Sequence, residues 1–467
     1  MKPRVLFISN RGETHPWVRR LNKRGIPTNI YIHDLGHRSA YANVHPRLGL
    51  DGLMDSLKSA ETVVVDTIAR NNKTDRDFAL LDKFGVSHNS LDLFGPISDK
   101  LKRPPYSIPN VIGGGEEAAD YELNREKGME LAKKAGLEIP EYEKFSSIKA
   151  GIKFLQGPGK GHKWVAKPNG NIDLDLTYPE DFEGELVDFL THVLPRRVGN
   201  GDQVDFILQK FVANPDGTPG VEVSSELWCT GKEKKLLHPN RTLEDKKLYS
   251  RVTGPRVGSQ VNLVWLCKDA EGPVHKGMTN LLDLLAAIDY WGALDFNCIF
   301  TIDGKIYHLE PTWRVGYSAL WLFLTFLLPG SLANFVLNPF DAVWQNKGRG
   351  FVASQVLSLH PFPTKHREDL QKKIAGNLIN HSIDMKDVWW TDVYVDDAGN
   401  LRVNGADGLV AVVTCYDKNR EMAIRKTYQK VSTLKVAGDK QFWPLQEHLE
   451  SHLGRLNKLR RWGINVF

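Results

Sequence analysis

Two strand-length runs, Ala293 to Thr301 and Lys305 to Leu309, are separated only by Ile302-Asp303-Gly304. A connection this short leaves them one arrangement, an antiparallel hairpin with the Asp-Gly pair in its turn. Asp295 and Asn297 stand two apart and so share one face of the first strand, and Glu310 closes the second. Oxygen ligands on adjacent strands can hold a magnesium ion against phosphates, because that ion accepts few protein ligands. The alternative is a solvated hairpin face, but Asp295 is set between Leu294 and Phe296, where an idle charge is costly. Arg314 follows four residues after Glu310, placed to neutralise charge on a transferred phosphoryl group.

The hairpin belongs to a chain of 467 residues, which at roughly 150 residues per domain predicts about three compact units. Apolar residues make up 41% and charged residues 25%, which excludes a disordered, collagenous or coiled-coil chain. Subtracting 56 acidic from 61 basic side chains leaves +5, too mild a balance for a nucleic-acid partner. Cys229, Cys267, Cys298 and Cys415 form no CxxC pair, so neither a zinc site nor a disulfide framework is expected and a reducing cytoplasm fits best. Met1 to Arg4 leads directly into Val5-Leu6-Phe7-Ile8, unlike a secretory leader. The most apolar run, Ala319 to Leu328, reads as a buried helix, because crossing a bilayer takes about 20 apolar residues. No membrane partner is expected.

Strand and helix signals alternate at the start. Val5 to Ser9, Asn29 to His33 and Thr62 to Asp66 read as strands and Pro16 to Lys23 as a helix, a parallel α/β sheet in outline. Asn10-Arg11-Gly12-Glu13-Thr14 lies where a helix N-terminus can hold an anion, or is merely a turn. Prolines and glycines from Pro104 to Gly115 mark a loop or seam, Glu116 to Ala135 is helical, and Tyr142 to Phe145 is strand-like. After the polar link Gln345 to Gly350 come strands Phe351 to Leu357 and Leu409 to Cys415, a hairpin through Asp396 to Asn400, and a helix Asn419 to Ser432. The expected division is an α/β unit over 1–103, a two-lobed α+β unit over 104–345 with its smaller lobe near 142–212, and a mixed β unit with helices over 346–467.

Trp164-Val165-Ala166-Lys167-Pro168 reads as a strand that ends in a lysine able to neutralise a phosphate, although lysines close many edge strands. Gln209-Lys210-Phe211 ends a further strand, and Gly220 to Ser224 alternates with period two. In this order, with the Asp295/Asn297 to Glu310 hairpin, these segments resemble the ATP-grasp fold. Its members clamp ATP between two α+β lobes and make an acyl phosphate from a carboxylate, which an amine attacks.

The resemblance narrows to the glycinamide ribonucleotide synthetase, or phosphoribosylamine:glycine ligase, family. Asn10 to His15 is similar to that family's glycine-rich turn, which implies substrate contacts at Gly12 and Glu13. Asn124-Arg125 through Ile139-Pro140 resembles the helix bearing a nucleotide-contacting lysine, here Arg125. Thr253-Gly254-Pro255 with Lys246 looks like the loop and lysine that line the substrate cleft, and Glu310 to Gly316 like the ExNxRxG signature. Val403-Asn404-Gly405 and Leu409 to Cys415 resemble the closing domain.

The resemblance implies ATP, with magnesium or manganese, bound by Arg125, Lys167, Gln209, Lys210, Phe211 and Glu222. Glu310, Asp295 and Asn297 would hold the metal, and Arg314 and Lys246 would be catalytic. It also implies small carboxylate and amine substrates, purine biosynthesis, and a monomer or homodimer. The departures are Asn169 to Asp175 in place of a glycine-rich phosphate loop, Gln209-Lys210 in place of acidic residues, Thr312 in place of asparagine, and Tyr317-Ser318-Ala319 in place of DPE. They leave open a ligase with a different amine, in nucleotide or nucleobase modification, and a non-catalytic nucleotide sensor.

Overall fold

A computed structural model describes residues 4–465, apart from 41–47, 68–73, 91, 170–177, 180–183, 199–201, 231–232, 234, 250–252, 268–271, 317–321, 323–324, 327–330, 338–349, 360–367, 382–386, 438–441 and 444–446. The link Gln345 to Arg349, the positions 170–175 after Asn169 and the segment Tyr317-Ser318-Ala319 therefore lie outside the described residues. Most of the expected apolar helix does too, although Leu322 and Phe326 are described, helical and buried.

Strands β1 (Val5–Ser9), β2 (Thr28–Ile32), β3 (Thr62–Val65) and β4 (Asn110–Ile112) form a parallel sheet in the order β2-β1-β3-β4. Their continuous apolar runs, Val5 to Ile8 and Val63 to Val65, are buried on both faces, as a parallel sheet covered by helices requires. β4 falls within the segment read from sequence as a loop or seam, so the sheet draws a strand from beyond residue 103. Glu116 to Ala135 is likewise two helices, Glu116–Leu123 and Arg125–Lys134, because the Asn124 side chain caps the second by accepting from the amides of Glu126 and Lys127.

A smaller antiparallel sheet joins β5 (Tyr142–Ser147), β6 (Trp164–Pro168), β7 (Tyr178–Pro179) and β8 (Gln203–Lys210) in the order β5-β8-β6-β7. Trp164, Ala166, Phe206 and Leu208 point to one face and build its core. By the alternation of side chains along a strand, Lys167 and Gln209 occupy the other face.

The largest sheet uses β9 (Val221–Thr230), β10 (Lys235–Tyr249), β11 (Thr253–Leu266), β12 (Trp291–Phe300), β13 (Ile306–Thr312) and β14 (Phe351–Leu359). Its order is β13-β12-β9-β10-β11-β14, followed by Leu409–Asp417 and Val388–Trp390. Of the strands after residue 346, Phe351–Leu359, Leu409–Asp417, Val388–Trp390 and Phe442–Trp443 belong to this sheet, whereas Ile379–His381 pairs with Leu434–Val436 and Val393–Val395 with Leu401–Val403 in two small sheets of their own. Thr253-Gly254-Pro255, expected as a loop, opens β11 instead.

One face of this sheet is apolar. Val221, Val223, Leu227, Leu243, Leu263, Leu294, Phe296 and Cys298 pack there beneath Leu131, Met278, Leu285, Ile424 and Leu459 from the covering helices. Glu222, Ser224 and Glu226 on β9, with Asp295 and Asn297 on β12, alternate with these core positions and therefore share the opposite face.

Candidate active site

The expected hairpin is present as β12 and β13, with Gly304 at φ +78° in its turn, a left-handed conformation that glycine adopts without strain. The second strand continues past Leu309 to Thr312. Asn297 stands directly opposite Glu310, whereas the next β12 residue, Cys298, pairs with His308. Leu309 is therefore an extra residue, a β-bulge, and residues 308 and 310 turn to opposite faces. His308 is buried against Phe296, its ring 5.1 Å away, while Glu310 enters the polar face beside Asn297.

The bulge takes the Leu309 carbonyl out of the regular ladder, and the Lys167 ammonium of the smaller sheet donates to it at 3.0 Å. Arg125 completes the bridge. Its guanidinium lies 3.1 Å from the Glu310 carboxylate and donates to the Pro168 carbonyl at 3.4 Å, while its backbone amide donates to Asn169 Oδ1 at 3.3 Å. Lys246 lies 2.8 Å from Glu222 and 3.7 Å from Glu244.

Burial alone would raise the Glu310 carboxyl, but Lys246, Arg125 and Lys167 outweigh it and hold the group down to about 2. Lys167 moves the other way: burial lowers its ammonium to about 8, and Glu310 opposes only part of that. Burial also works against charge on Lys246, yet Glu222, Glu244 and Glu310 prevail and raise it. The charged form of this lysine is therefore favoured.

Further along the polar face, Asp295 stands opposite Glu226 in register and accepts from the Ser224 hydroxyl at 2.5 Å. Burial raises both carboxyls, Asp295 to about 7 and Glu226 to about 8. Like-charged groups directly opposite on neighbouring strands are destabilising. Arg314 leaves the end of β13 and lies 3.3 Å from Glu122 of helix Glu116–Leu123.

Gly12 and Glu13 fall elsewhere, at the carboxyl ends of the parallel strands. Gly12 is at φ +85°, its amide donates to the Ser9 hydroxyl at 2.8 Å, and Glu13 accepts from the same hydroxyl at 2.9 Å and from the Arg11 amide at 3.1 Å. His37 joins this end to the carboxy-terminal loop, with Asp407 at 3.0 Å and Asp34 at 3.1 Å. Among the described residues no hydrogen bond or ion pair links Gly12 or Glu13 to the Glu310 cluster.

Contacts and strand register thus bring Arg125, Lys167, Glu222, Lys246, Asp295, Asn297 and Glu310 together. Gln209 shares the Lys167 face of its sheet, whereas Lys210 pairs with Glu141 at 3.0 Å near the surface and Phe211 follows the strand. Side chains at Thr253, Gly254 and Pro255 lie outside the described ones. Glu122, Glu226 and Asn240 were not anticipated. The period-two run Glu222, Ser224, Glu226 could have revealed the second, but nothing local marks Glu122 or Asn240.

Two orphaned atoms test what the site fits. Gln209 Oε1 and Asn297 Oδ1 are buried with no hydrogen-bond partner among the described residues. An acceptor on the Lys167 face suits an exocyclic amine such as adenine's, and one opposite Glu310 suits a hard cation. Among the described residues no three His, Cys, Asp or Glu side chains converge on one point, so a cation here would take its remaining ligands from phosphate or water.

The parallel sheet, the small antiparallel sheet and the large antiparallel sheet together match the fold of multidomain ATP-grasp proteins. No protein-family model matches the chain, and no curated protein matches it by sequence. Solved structures do. Phosphoribosylamine–glycine ligase from Thermotoga maritima superposes with a TM-score of 0.64 at 18% identity, covering 94% of this chain and 98% of that one. Biotin carboxylase from Campylobacter jejuni, solved with an ATP analogue, gives 0.62 at 11% identity, covering 97% and 96%. Phosphoribosylglycinamide synthetase from Anaerococcus prevotii gives 0.52 at 14% identity, covering 93% and 99%. No helix among the described residues is long and apolar enough to cross a membrane.

Proposed function

We propose that this chain is an ATP-dependent carboxylate–amine ligase that works through an acyl phosphate. The observation that supports the reading is the convergence on Glu310. A carboxylate held ionised by Lys246, Arg125 and Lys167, with the Arg125 guanidinium 3.1 Å away, stands opposite Asn297, whose buried oxygen has no partner among the described residues.

In this reading ATP lies between the two lobes. Gln209 Oε1 accepts from the adenine amine beside the Lys210-Phe211 backbone, and Lys167 and Arg125 neutralise the phosphates. Glu310, with Asn297 or Asp295, would hold a magnesium or manganese ion, which would supply positive charge against those phosphates. Arg314 steadies the γ-phosphoryl group during its transfer to the carboxylate, where charge is spread over the transferred oxygens. Lys246, fixed between Glu222 and Glu244, adds positive charge, and lobe closure shields the acyl phosphate from water. Gly12 and Glu13, with Thr253, Gly254 and Pro255, are assigned to the amine side of the cleft.

Glycine and phosphoribosylamine, a step of purine biosynthesis, are the first substrates to test; a different amine is the second reading. The protein is taken to be a soluble, cytoplasmic monomer or homodimer. Calorimetry with magnesium and a non-hydrolysable ATP analogue, followed by phosphate release across a panel of carboxylates and amines, tests the proposal. Turnover with one pair identifies the substrates. Nucleotide binding without turnover across the panel reassigns the chain as a sensor, and absence of binding removes the reading altogether.

A further inference from the structure

Trp313 to Gly316, the segment that carries Arg314 out of the sheet, is held at both ends by carboxylates from unrelated elements. At the entry, Glu122 Oε2 accepts from the Trp313 amide at 2.8 Å, and Glu122 Oε1 lies 3.3 Å from the Arg314 guanidinium. One carboxylate thus fixes both the backbone at the strand exit and the side chain that follows. At the far end, Glu226 Oε2 accepts from the Gly316 amide at 3.0 Å, and its other oxygen accepts from Asn240 Nδ2 at 3.0 Å. Trp313 between them is buried, stacked on Tyr121 with ring centroids 5.7 Å apart and edge-on to Tyr290 at 4.9 Å.

Taking an ionisable side chain out of water to hold one amide is costly, because burial raises the carboxyls of Glu122 and Glu226 alike and a side chain that never ionises could accept the same bond. Two such glutamates at the ends of a four-residue segment point to a demand on where that segment lies. We propose that Glu122 and Glu226 are positioning residues that aim Arg314 at the transferred phosphoryl group, Glu122 through its charge and Glu226 through its hydrogen bond to Gly316. The inference rests on the ligase reading above, in which Arg314 meets that group. Neither glutamate touches substrate in this scheme.

The two modes of action predict different responses to the amide isostere. Calorimetry with magnesium compares ADP with a β,γ-non-hydrolysable ATP analogue, so that the difference reports the γ-phosphoryl contact alone. The wild type prefers the ATP analogue, and Arg314→Ala loses most of that preference, roughly tenfold for a charge-assisted contact. Glu122→Gln loses it to a similar degree while its unfolding midpoint stays close to wild type, because the amide oxygen still accepts from Trp313. Glu226→Ala loses it too, and Glu226→Gln restores it, because the Gln oxygen still accepts from Gly316.

A wild-type preference that Arg314→Ala abolishes but Glu122→Gln leaves intact overturns the inference alone, as does a Glu226→Gln variant no better than Glu226→Ala. Wild type that binds neither nucleotide overturns the ligase reading and this inference with it.

Discussion

The Arg125 guanidinium and the Glu310 carboxylate, 3.1 Å apart, serve as each other's counter-ion. Arg125 opens the helix Arg125–Lys134 and also bonds Pro168 at the end of β6, so the pair ties the bulged hairpin to the smaller sheet. If MgATP enters as proposed, the two ions exchange partners, guanidinium for phosphate and carboxylate for metal. Either component alone would strand one of the charges in a buried setting.

Metal and nucleotide should therefore bind cooperatively. Manganese alone is expected to bind weakly, and its affinity should rise about 5- to 150-fold with nucleotide present, the usual range of such couplings. Arg125→Met leaves Glu310 without its guanidinium, so metal-only affinity should rise and the coupling shrink. Manganese titrations followed by electron paramagnetic resonance, with and without ADP, check this; unchanged coupling in the variant counts against the exchange.

Glu310→Gln removes the charge that three cations surround but preserves the side chain's shape. Phosphate release should fall on the order of 100-fold or more, while far-UV circular dichroism remains that of the wild type. Full turnover by this variant would remove the carboxylate from the proposed metal site.

His37 links the first sheet to the carboxy-terminal loop. Burial alone favours its neutral form, but Asp407 and Asp34 outweigh burial and raise the imidazole from 6.5 to about 10. A group whose pKa is raised by folding stabilises the fold fully below its unfolded value and loses that contribution as pH rises through the folded one. Stability should thus decline between about pH 6.5 and 10, by at most about 5 kcal/mol for the full shift. His37→Gln should flatten this slope in urea titrations across the range, and an unchanged slope would show that other groups carry it.

Gly113 lies at φ +137° where β4 meets β12, and its amide donates to the Trp291 carbonyl at 2.7 Å. A Cβ there would stand 2.4 Å from the Val65 carbonyl oxygen. Gly113→Ala should cost about 2 kcal/mol or more through strain and overlap together. The midpoint of denaturant unfolding measures it.

Much of this architecture follows from local rules. The apolar runs at Val5 to Ile8 and Thr62 to Val65 become parallel strands, and the Asp-Gly turn fixes the hairpin. Period-two alternation places Asp295 and Asn297 on one face, as the register confirms. β4 was hidden because three residues among prolines and glycines carry too short a pattern to read. Thr253-Gly254-Pro255 was hidden because its composition signals a turn, while the long partner strand β10 draws it into the sheet.

By itself, the sequence determined which residues carry charge on the hairpin, and on which side of a regular strand Asp295 and Asn297 must lie, because strand periodicity is a property of the backbone. Where Glu310 points was settled only in three dimensions. The bulge at Leu309 separates it from His308, and a bulge arises from how two strands pair rather than from either strand alone. The partners of Glu310 and Arg314 were likewise decided by tertiary structure. Arg125 and Glu122 lie 185 and 191 residues away from Glu310 and Trp313, and only the packing of separate elements sets the distance between such charges.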